Sequence, residues 1–235
     1  MDRKAELLAS IIRTQIGDGT RKVLVVGCGS GVEAGILSRV FKAEVTGIDL
    51  DTRFDPMAEQ VAKLQWGDAT SLEFETGSFD LVYSYHALEH IRDYRKALGE
   101  MRRVLSRNGW YCIGVPNRSR LIGYLGAEAT SIAEKIKWNV ADWKARMTGR
   151  FRNELGAHAG FTLTELTQEV TASIGDAEDI TLKYYLSVYP GLRWVTRILA
   201  ATGLGRFLFP AVYVIGRKRH FRKTQETAHS KISHG

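Results

Sequence analysis

Apolar segments in the first half of the chain alternate with segments of helical periodicity. Five short runs rich in Val, Ile, Leu and Tyr predict strands: one from Val23, one from Val45, one ending near Gln65, one over residues 79–84 and one ending at Val115. Between them, apolar residues recur every three or four positions, which is typical of helices that pack on a sheet. This alternation predicts an α/β fold, doubly wound, with a mostly parallel sheet and right-handed crossovers.

The second half of the chain follows a different pattern. Apolar positions from Ile132 to Met147 predict a long amphipathic helix, and Thr162 with Glu165 forms a capping box that opens another. Residues 180–189 and 210–217 predict two closing strands. We expect one domain of 235 residues, made of an N-terminal helix (1–20), a cofactor-binding core (21–117), a helical insertion (118–160), closing helices and strands (161–219) and a disordered polar tail (220–235).

The first predicted strand leads directly into a glycine-rich loop formed by Gly27, Cys28, Gly29 and Gly31. Glycine lets the backbone turn sharply and a ligand approach closely, and the following helix directs free N–H groups at that ligand. Asp49 ends the second strand 18 residues after Gly31, which is close to the spacing of about 20 residues expected for an acid that binds ribose hydroxyls. The pattern indicates an adenosine-containing cofactor.

Further chemistry-bearing residues follow the next two strands. Asp68 and Ala69 follow the third strand, and Ser84 and Tyr85 lie at the mouth of the fourth, shortly before Glu89-His90. Together with the glycine loop and Asp49, this ordered set resembles the class I S-adenosylmethionine (SAM)-dependent methyltransferases, and most of all the small-molecule group that includes ubiquinone-type O-methyltransferases. The resemblance covers residues 20–117 well and is loose afterwards, apart from a Gly-x-His-x-x-Phe-Thr stretch at 156–162.

The resemblance implies a fold, a cofactor and roles for individual residues. It implies a seven-stranded Rossmann-like sheet with an antiparallel last hairpin and a helical insertion over the substrate after strand 5. The cofactor is SAM, with S-adenosylhomocysteine as product, and no metal. The implied contacts are the loop of Gly27, Cys28, Gly29 and Gly31 for the aminocarboxylate and ribose edge, Asp49 for the ribose, Leu50, Asp68 and Ala69 for the adenine, and Ser84 and Tyr85 beside the sulfonium.

Three histidines are candidates for a role in catalysis. His158 lies in the family-like stretch that faces the acceptor, and we expect it to be the substrate-side residue, with His86 as the second candidate for a general base. His90 is expected to be structural. His86 and His90 are four positions apart and would share one face of a helix, but the rest of a zinc-protease motif is missing.

The methyl acceptor implied by the resemblance is a small molecule. The fourth strand is not followed by the Asn/Asp-Pro-Pro-Tyr/Phe motif of nucleic-acid amino methyltransferases, so nucleic acid is not expected as a partner. The leading hypothesis is that a hydroxyl or carbon atom accepts the methyl group. The stretch 192–209 is apolar with scattered arginines, which also allows a lipid-linked or glycan acceptor. Two alternatives remain: a non-catalytic SAM-binding regulatory partner, and an NAD(P)-dependent oxidoreductase, although G-x-G-x-x-G is the more usual dehydrogenase pattern.

Charge and cysteine content bear on location. The net charge is +7, and basic residues concentrate in 118–152, with eight against three acids, and in 216–235, with six against one. Such segments are either solvated surfaces or contacts with nucleic acid, an acidic membrane surface or an anionic substrate. Cys28 and Cys112 form no C-x-x-C pair, and no leader-like segment or long apolar run is visible. We expect a cytoplasmic protein, with a peripheral position at the inner face of the membrane as the alternative.

Overall fold

A single mixed sheet organises the computed structural model, which describes residues 3–124, 130–153 and 158–219. Its strands are β1 (Lys22–Val26), β2 (Glu44–Asp49), β3 (Lys63–Trp66), β4 (Phe79–Tyr85), β5 (Leu105–Pro116), β6 (Glu178–Asp179) and β7 (Ala211–Arg217). The spatial order is β3-β2-β1-β4-β5-β7-β6. Neighbouring strands from β1 to β5 are parallel, and β7 runs antiparallel to both β5 and β6. The predicted Rossmann-like sheet is confirmed.

Helices cover both faces of this sheet. They are α1 (Arg3–Ile16), α2 (Val32–Phe41), α3 (Pro56–Glu59), α4 (Tyr94–Val104), α5 (Ile132–Met147), α6 (Leu163–Ser173), α7 (Thr181–Val188), α8 (Arg193–Ala201) and α9 (Gly205–Leu208). Apolar side chains of α1, α2 and α7 fill one core, and those of α4 and α6 fill the other. The predicted Thr162–Glu165 capping box opens α6, so this helix begins as expected.

One predicted strand is wrong. Residues 180–189 were expected to extend along the sheet, but β6 has only two residues and α7 follows it. The Tyr184 and Tyr185 side chains of α7 are buried in the core formed with β7, and Tyr184 packs on Tyr213 with ring centroids 4.3 Å apart. Burial of these two large rings outweighs the weak preference of Ile, Thr, Tyr and Val for strands.

The helix α5 is present where it was predicted, but its apolar face is turned away from the protein. Ile132 and Met147 are 78% and 82% exposed. The polar face packs inward: the Asn139 amide bonds the backbone N–H and C=O of Gly123, and Asp142 pairs with Arg120. Polar contacts therefore hold α5 against the segment that precedes it in the insertion.

The remaining predictions from the sequence concern membrane-spanning helices, the two cysteines and the C-terminal tail. No helix within the described ranges is both long and apolar enough to cross a bilayer. Cys28 and Cys112 are free, buried thiols. The predicted disordered tail lies outside the described residues, as do Gly156 and Ala157 of the family-like stretch.

Candidate functional site

The carboxyl ends of β1, β2, β3 and β4 surround a cavity of about 770 Å³, called the glycine-loop cavity below. It lies beside the point where the strand order reverses, between β1 and β4, which is where open α/β sheets bind ligands. Eight of the ten predicted cofactor residues line it: Gly27, Cys28, Gly29, Asp49, Leu50, Asp68, Ala69 and Tyr85. The fold thus gathers side chains from four separate strands at one edge.

The glycine loop requires glycine for two different reasons. Gly27 has φ 72°, and a Cβ there would lie 2.2 Å from the Cβ of Ala87, so no side chain fits. Gly29 has φ 52°, and a Cβ there would meet no atom within 4 Å. The second glycine therefore leaves open space above the loop for a ligand. The backbone N–H groups of Gly27 and Cys28 both donate to the Ile48 carbonyl, which ties the loop to β2.

Asp49 connects the glycine loop to the end of β2. Its Oδ2 accepts a hydrogen bond from the Gly29 N–H at 2.8 Å, and its Oδ1 accepts one from the Asp51 N–H at 3.0 Å. Each carboxylate oxygen has a second lone pair, so both can accept a further hydroxyl donor. This is the arrangement required to bind two adjacent ribose hydroxyls.

Asp68 and Leu50 form the wall expected for an adenine. The Asp68 Oδ1 accepts hydrogen bonds from the Thr70 N–H at 2.8 Å and the Thr70 hydroxyl at 2.9 Å. These bonds hold the pKa of the Asp68 carboxyl below its usual range, so an ionised acceptor faces the cavity. Leu50 is exposed and lines the same cavity, where it offers an apolar surface to a ring.

Two predicted cofactor residues, Gly31 and Ser84, do not line the glycine-loop cavity. Gly31 precedes α2 and donates its N–H to the Cys28 carbonyl. The Ser84 side chain is buried, because successive side chains of β4 alternate between the two faces of the sheet and Tyr85 is the one that reaches the cavity. Of the two residues expected beside a sulfonium, only Tyr85 lines this cavity.

Sequence reasoning missed several lining residues, among them Ser30, Glu33, Thr70, Arg92 and Asp93. Thr70 had a usable signal, since it follows Asp68 by two positions and such pairs commonly form an Asx turn. The pair Arg92-Asp93 precedes α4, and no motif in the sequence distinguishes it from any other helix entrance.

A second cavity of about 330 Å³, called the aromatic cavity below, adjoins the first. Tyr85 and His86 line both cavities. The walls of the aromatic cavity are mainly apolar and aromatic, with Pro116, Tyr184, Tyr185, Val188, Tyr189, Pro210 and Tyr213 among them. The Tyr85 and Tyr213 rings stack with centroids 5.9 Å apart. The arrangement suits a small ligand with a flat or apolar body, whose reactive group would point towards His86.

His86 occupies the junction of the two cavities in a left-handed conformation with φ 51°. Burial, followed by the nearby charge of Arg120, lowers the pKa of His86 to about 4. The ring is therefore neutral at pH 7 and has a lone pair to accept a proton. The expectation of a shared helix face for His86 and His90 is wrong, because β4 ends at Tyr85 and only Leu88–His90 forms a short 3-10 helix.

His158 lines the aromatic cavity, as expected of a residue on the acceptor side. Its ring lies edge-on to His90 with centroids 4.7 Å apart, and its carbonyl accepts a hydrogen bond from Arg120 at 2.9 Å. The segment is held against the end of β5 by Gly160, where a Cβ would lie 1.8 Å from the Pro116 carbonyl oxygen. The position of His158 is thus set by close backbone contact.

Glu89 lies beneath these histidines. Its side chain is 0% exposed, and its Oε1 is 3.8 Å from His86 Nδ1 and 3.9 Å from His90 Nε2. Burial raises the pKa of the Glu89 carboxyl to about 7. Burial, followed by the nearby Asp49 charge, also raises the pKa of the Cys28 thiol to about 12, so this thiol stays protonated in the loop.

Comparison with known proteins agrees with this architecture. A family described as "Methyltransferase domain" matches residues 24–113. An uncharacterized 37.1 kDa protein in transposon TN4556 of Streptomyces fradiae is 29% identical over 166 residues, which are 66% of this chain and 47% of the relative. The phthiotriol/phenolphthiotriol dimycocerosates methyltransferase of Mycobacterium tuberculosis is 34% identical over 104 residues, 42% of this chain and 38% of the relative.

The chain thus spans less than half the length of these two curated relatives. Among solved structures, the YcgJ protein of Bacillus subtilis superposes with a TM-score of 0.56 at 19% identity, over 92% of this chain and 99% of the other. Residues 24–113 are thus similar to the methyltransferase-domain family, and the seven-stranded sheet has the Rossmann-like methyltransferase fold that the sequence predicted.

Proposed function

We propose that this chain is a SAM-dependent methyltransferase that transfers a methyl group to a hydroxyl of a small molecule bound in the aromatic cavity. The observation that carries the proposal is the pair of adjoining cavities, which share Tyr85 and His86. A cofactor in the glycine-loop cavity and an acceptor in the aromatic cavity would meet at these two side chains. Alignment of two reactants in this way can contribute about 7–11 kcal/mol towards lowering a barrier.

The cofactor fits the residues that face the glycine-loop cavity. Asp49 would accept its ribose hydroxyls, Asp68 its adenine amino group, and the N-terminus of α2 would favour its carboxylate. When bound, SAM supplies an electrophilic methyl group on a sulfonium. Tyr85 would border that centre, and its position at the end of β4 separates the two cavities.

His86 is the better placed of the two catalytic candidates. It faces both cavities, whereas His158 lines only the aromatic cavity. Neutral His86 would take the acceptor's proton as the oxygen attacks the methyl carbon, and the electron pair of the broken C–S bond would pass to sulfur. A positioned general base of this kind typically contributes about 10²–10⁴-fold to the rate.

The proposal is tested by binding and by turnover. In a thermal-shift assay with SAM, S-adenosylhomocysteine, NAD and NADP, only the first two ligands should raise the melting temperature of the protein. Formation of S-adenosylhomocysteine should then be followed with panels of phenols and aliphatic alcohols of a size that fits the aromatic cavity. Stabilisation by NAD or NADP alone would favour the oxidoreductase alternative. SAM binding without product formation in the presence of a crude extract would favour the non-catalytic one.

The exposed face of α5 supports a finer statement about where the acceptor is met. Its apolar side chains point outwards, and exposed basic residues such as Lys137, Lys144 and Arg150 lie around them. An amphipathic helix with this combination suits the surface of an acidic bilayer, where a lipid-linked acceptor would be available. Co-sedimentation with phosphatidylglycerol vesicles should decrease in Ile132→Ser and Met147→Ser variants, and binding to neutral phosphatidylcholine vesicles should be weak.

A further inference from the structure

The structure brings together a cluster of possible metal ligands that the sequence does not suggest. Glu89 and His90 come from the 3-10 helix after β4, and His158 comes from the segment that precedes α6. One ligand atom from each of the three lies within 4.8 Å of the other two. We propose that Glu89, His90 and His158 bind a divalent first-row transition-metal ion where the glycine-loop cavity and the aromatic cavity meet.

The strongest observation for this site is the state of Glu89. The side chain is completely buried, and neither carboxylate oxygen has a hydrogen-bond partner among the described residues. A buried polar group without a partner is costly, and a buried charge without one is more so. Arg120 is the buried cation nearby, but its guanidinium bonds the carbonyls of Asn117, Ala159 and His158 and the carboxylate of Asp142 instead. A bound cation would give the buried Glu89 carboxylate the partner that it lacks among the described residues.

The two histidines are free to complete the site. Both are exposed, and their rings meet edge-on 4.7 Å apart, centroid to centroid. Two ligands at about 2.0–2.2 Å from one tetrahedral ion lie about 3.3–3.6 Å apart. Separations of up to 4.8 Å must therefore shorten by about 1 Å, which rotations of the two histidine side chains can supply. Exposed rings can make such rotations at little cost.

The ligand set also indicates the kind of metal. Two imidazoles and one carboxylate suit Zn²⁺, Fe²⁺, Co²⁺ or Ni²⁺, whereas Mg²⁺ and Ca²⁺ prefer sites made of oxygen ligands alone. Three protein ligands leave at least one coordination position open, as in catalytic rather than structural sites. The expectation from sequence that no metal binds rested on the two unpaired cysteines and on the His86–His90 pair, and neither argument concerned this cluster.

A metal here would act on the acceptor, a role that rests on the function proposed above. His90 lines the glycine-loop cavity and His158 lines the aromatic cavity, so the ion would lie beside the reacting groups. Such an ion polarises a neighbouring hydroxyl and lowers its pKa. The released proton would pass to His86, and no change of oxidation state is involved.

The test is direct metal binding to the full chain after treatment with a chelator and desalting, with Zn²⁺ and Co²⁺ as probes. The histidines of the tail, His220, His229 and His234, are replaced by Ala in every sample so that they cannot bind the probe. Calorimetry with Zn²⁺ should show one ion per chain, and Co²⁺ should give the visible absorption bands of a site with nitrogen ligands.

Matched variants assign the site. Glu89→Gln and His158→Ala should each weaken Zn²⁺ binding at least tenfold, whereas Glu169→Gln, a carboxylate paired with Arg95 on the surface nearby, should leave the affinity unchanged. His158 is exposed, so its variant should fold even if Glu89→Gln does not. No stoichiometric binding to the parent, or equal affinity in His158→Ala and Glu169→Gln, would overturn the proposal.

The same samples keep the two proposals apart. SAM affinity is measured by calorimetry in the presence of chelator. Intact SAM binding without a metal site would leave the methyltransferase proposal standing and reject the metal. Metal binding that depends on Glu89 and His158, together with no SAM binding, would support the metal site and reject the methyltransferase proposal.

Discussion

Replacement of Asp49 by Ala should separate cofactor binding from folding. The carboxylate accepts one backbone N–H on each oxygen, from Gly29 and Asp51, and we expect it to accept two ribose hydroxyls as well. A hydrogen bond to a charged group contributes about 1.5–3 kcal/mol. Loss of two such bonds to the ribose corresponds to about 3–6 kcal/mol, or a decrease of about 10²–10⁴-fold in SAM affinity.

The effect of the same substitution on stability should be much smaller. The two backbone N–H groups lie in an exposed region and can bond water instead, so the free energy of unfolding should fall by only about 1 kcal/mol. Calorimetry with SAM measures the first quantity, and urea unfolding without ligand measures the second.

Asp51→Asn is the matched control for Asp49. Asp51 is two positions away, pairs with Arg53 and does not line the glycine-loop cavity. It should keep SAM affinity within about threefold of the parent. SAM affinity in Asp49→Ala that also stays within that range would refute the assignment of Asp49 to the ribose, whatever the change in stability.

Four further substitutions test the architecture by urea unfolding. Gly31→Ala should destabilise by about 1–3 kcal/mol, because its φ of 86° disfavours a side chain and its Cβ would displace the end of the Leu64 side chain. Gly29→Ala, at φ 52° and in open space, should cost less, and equal losses would contradict this reasoning. Thr162→Ala should cost about 1 kcal/mol by removing the α6 cap, and no loss would show that the capping box is dispensable. Arg103 holds the pKa of the Glu100 carboxyl below its ordinary value. The ionised carboxylate therefore stabilises the fold above the unfolded-state pKa of Glu100, and this stabilisation is lost as the pH falls. Glu100→Gln should lower the free energy of unfolding more at pH 7 than at pH 3, and an equal loss at both would argue against the ion pair.

The sequence predicted the first half of the fold well because its patterns are local. Buried parallel strands appear as continuous apolar runs, and the glycine loop, Asp49 and Asp68 follow the strands that place them. The carboxyl ends of parallel strands meet at one edge, so these residues could be assigned to one site without knowledge of any long-range contact.

The second half shows where local patterns are insufficient. Residues 180–189 carry a strand-like composition, yet the burial of Tyr184 and Tyr185 against β7 makes them helical. The sequence predicted α5 but not which face it buries, because the inward contacts of Asn139 and Asp142 depend on Gly123 and Arg120 from another segment. The Glu89–His90–His158 cluster was hidden for the same reason, since two segments distant along the chain meet only in the folded protein.

The two walls of the aromatic cavity differ in how freely they can vary. On the His158 side, Gly160 touches the main chain of Pro116 so closely that almost no substitution is possible there. On the α7 side, the cavity is also bounded by Val188 and Tyr189, whose side chains lie outside the fully buried core and can vary more freely. An enzyme built in this way can evolve towards new acceptors by altering one helix while the reacting groups stay in place, and directed evolution of its substrate range should begin at α7.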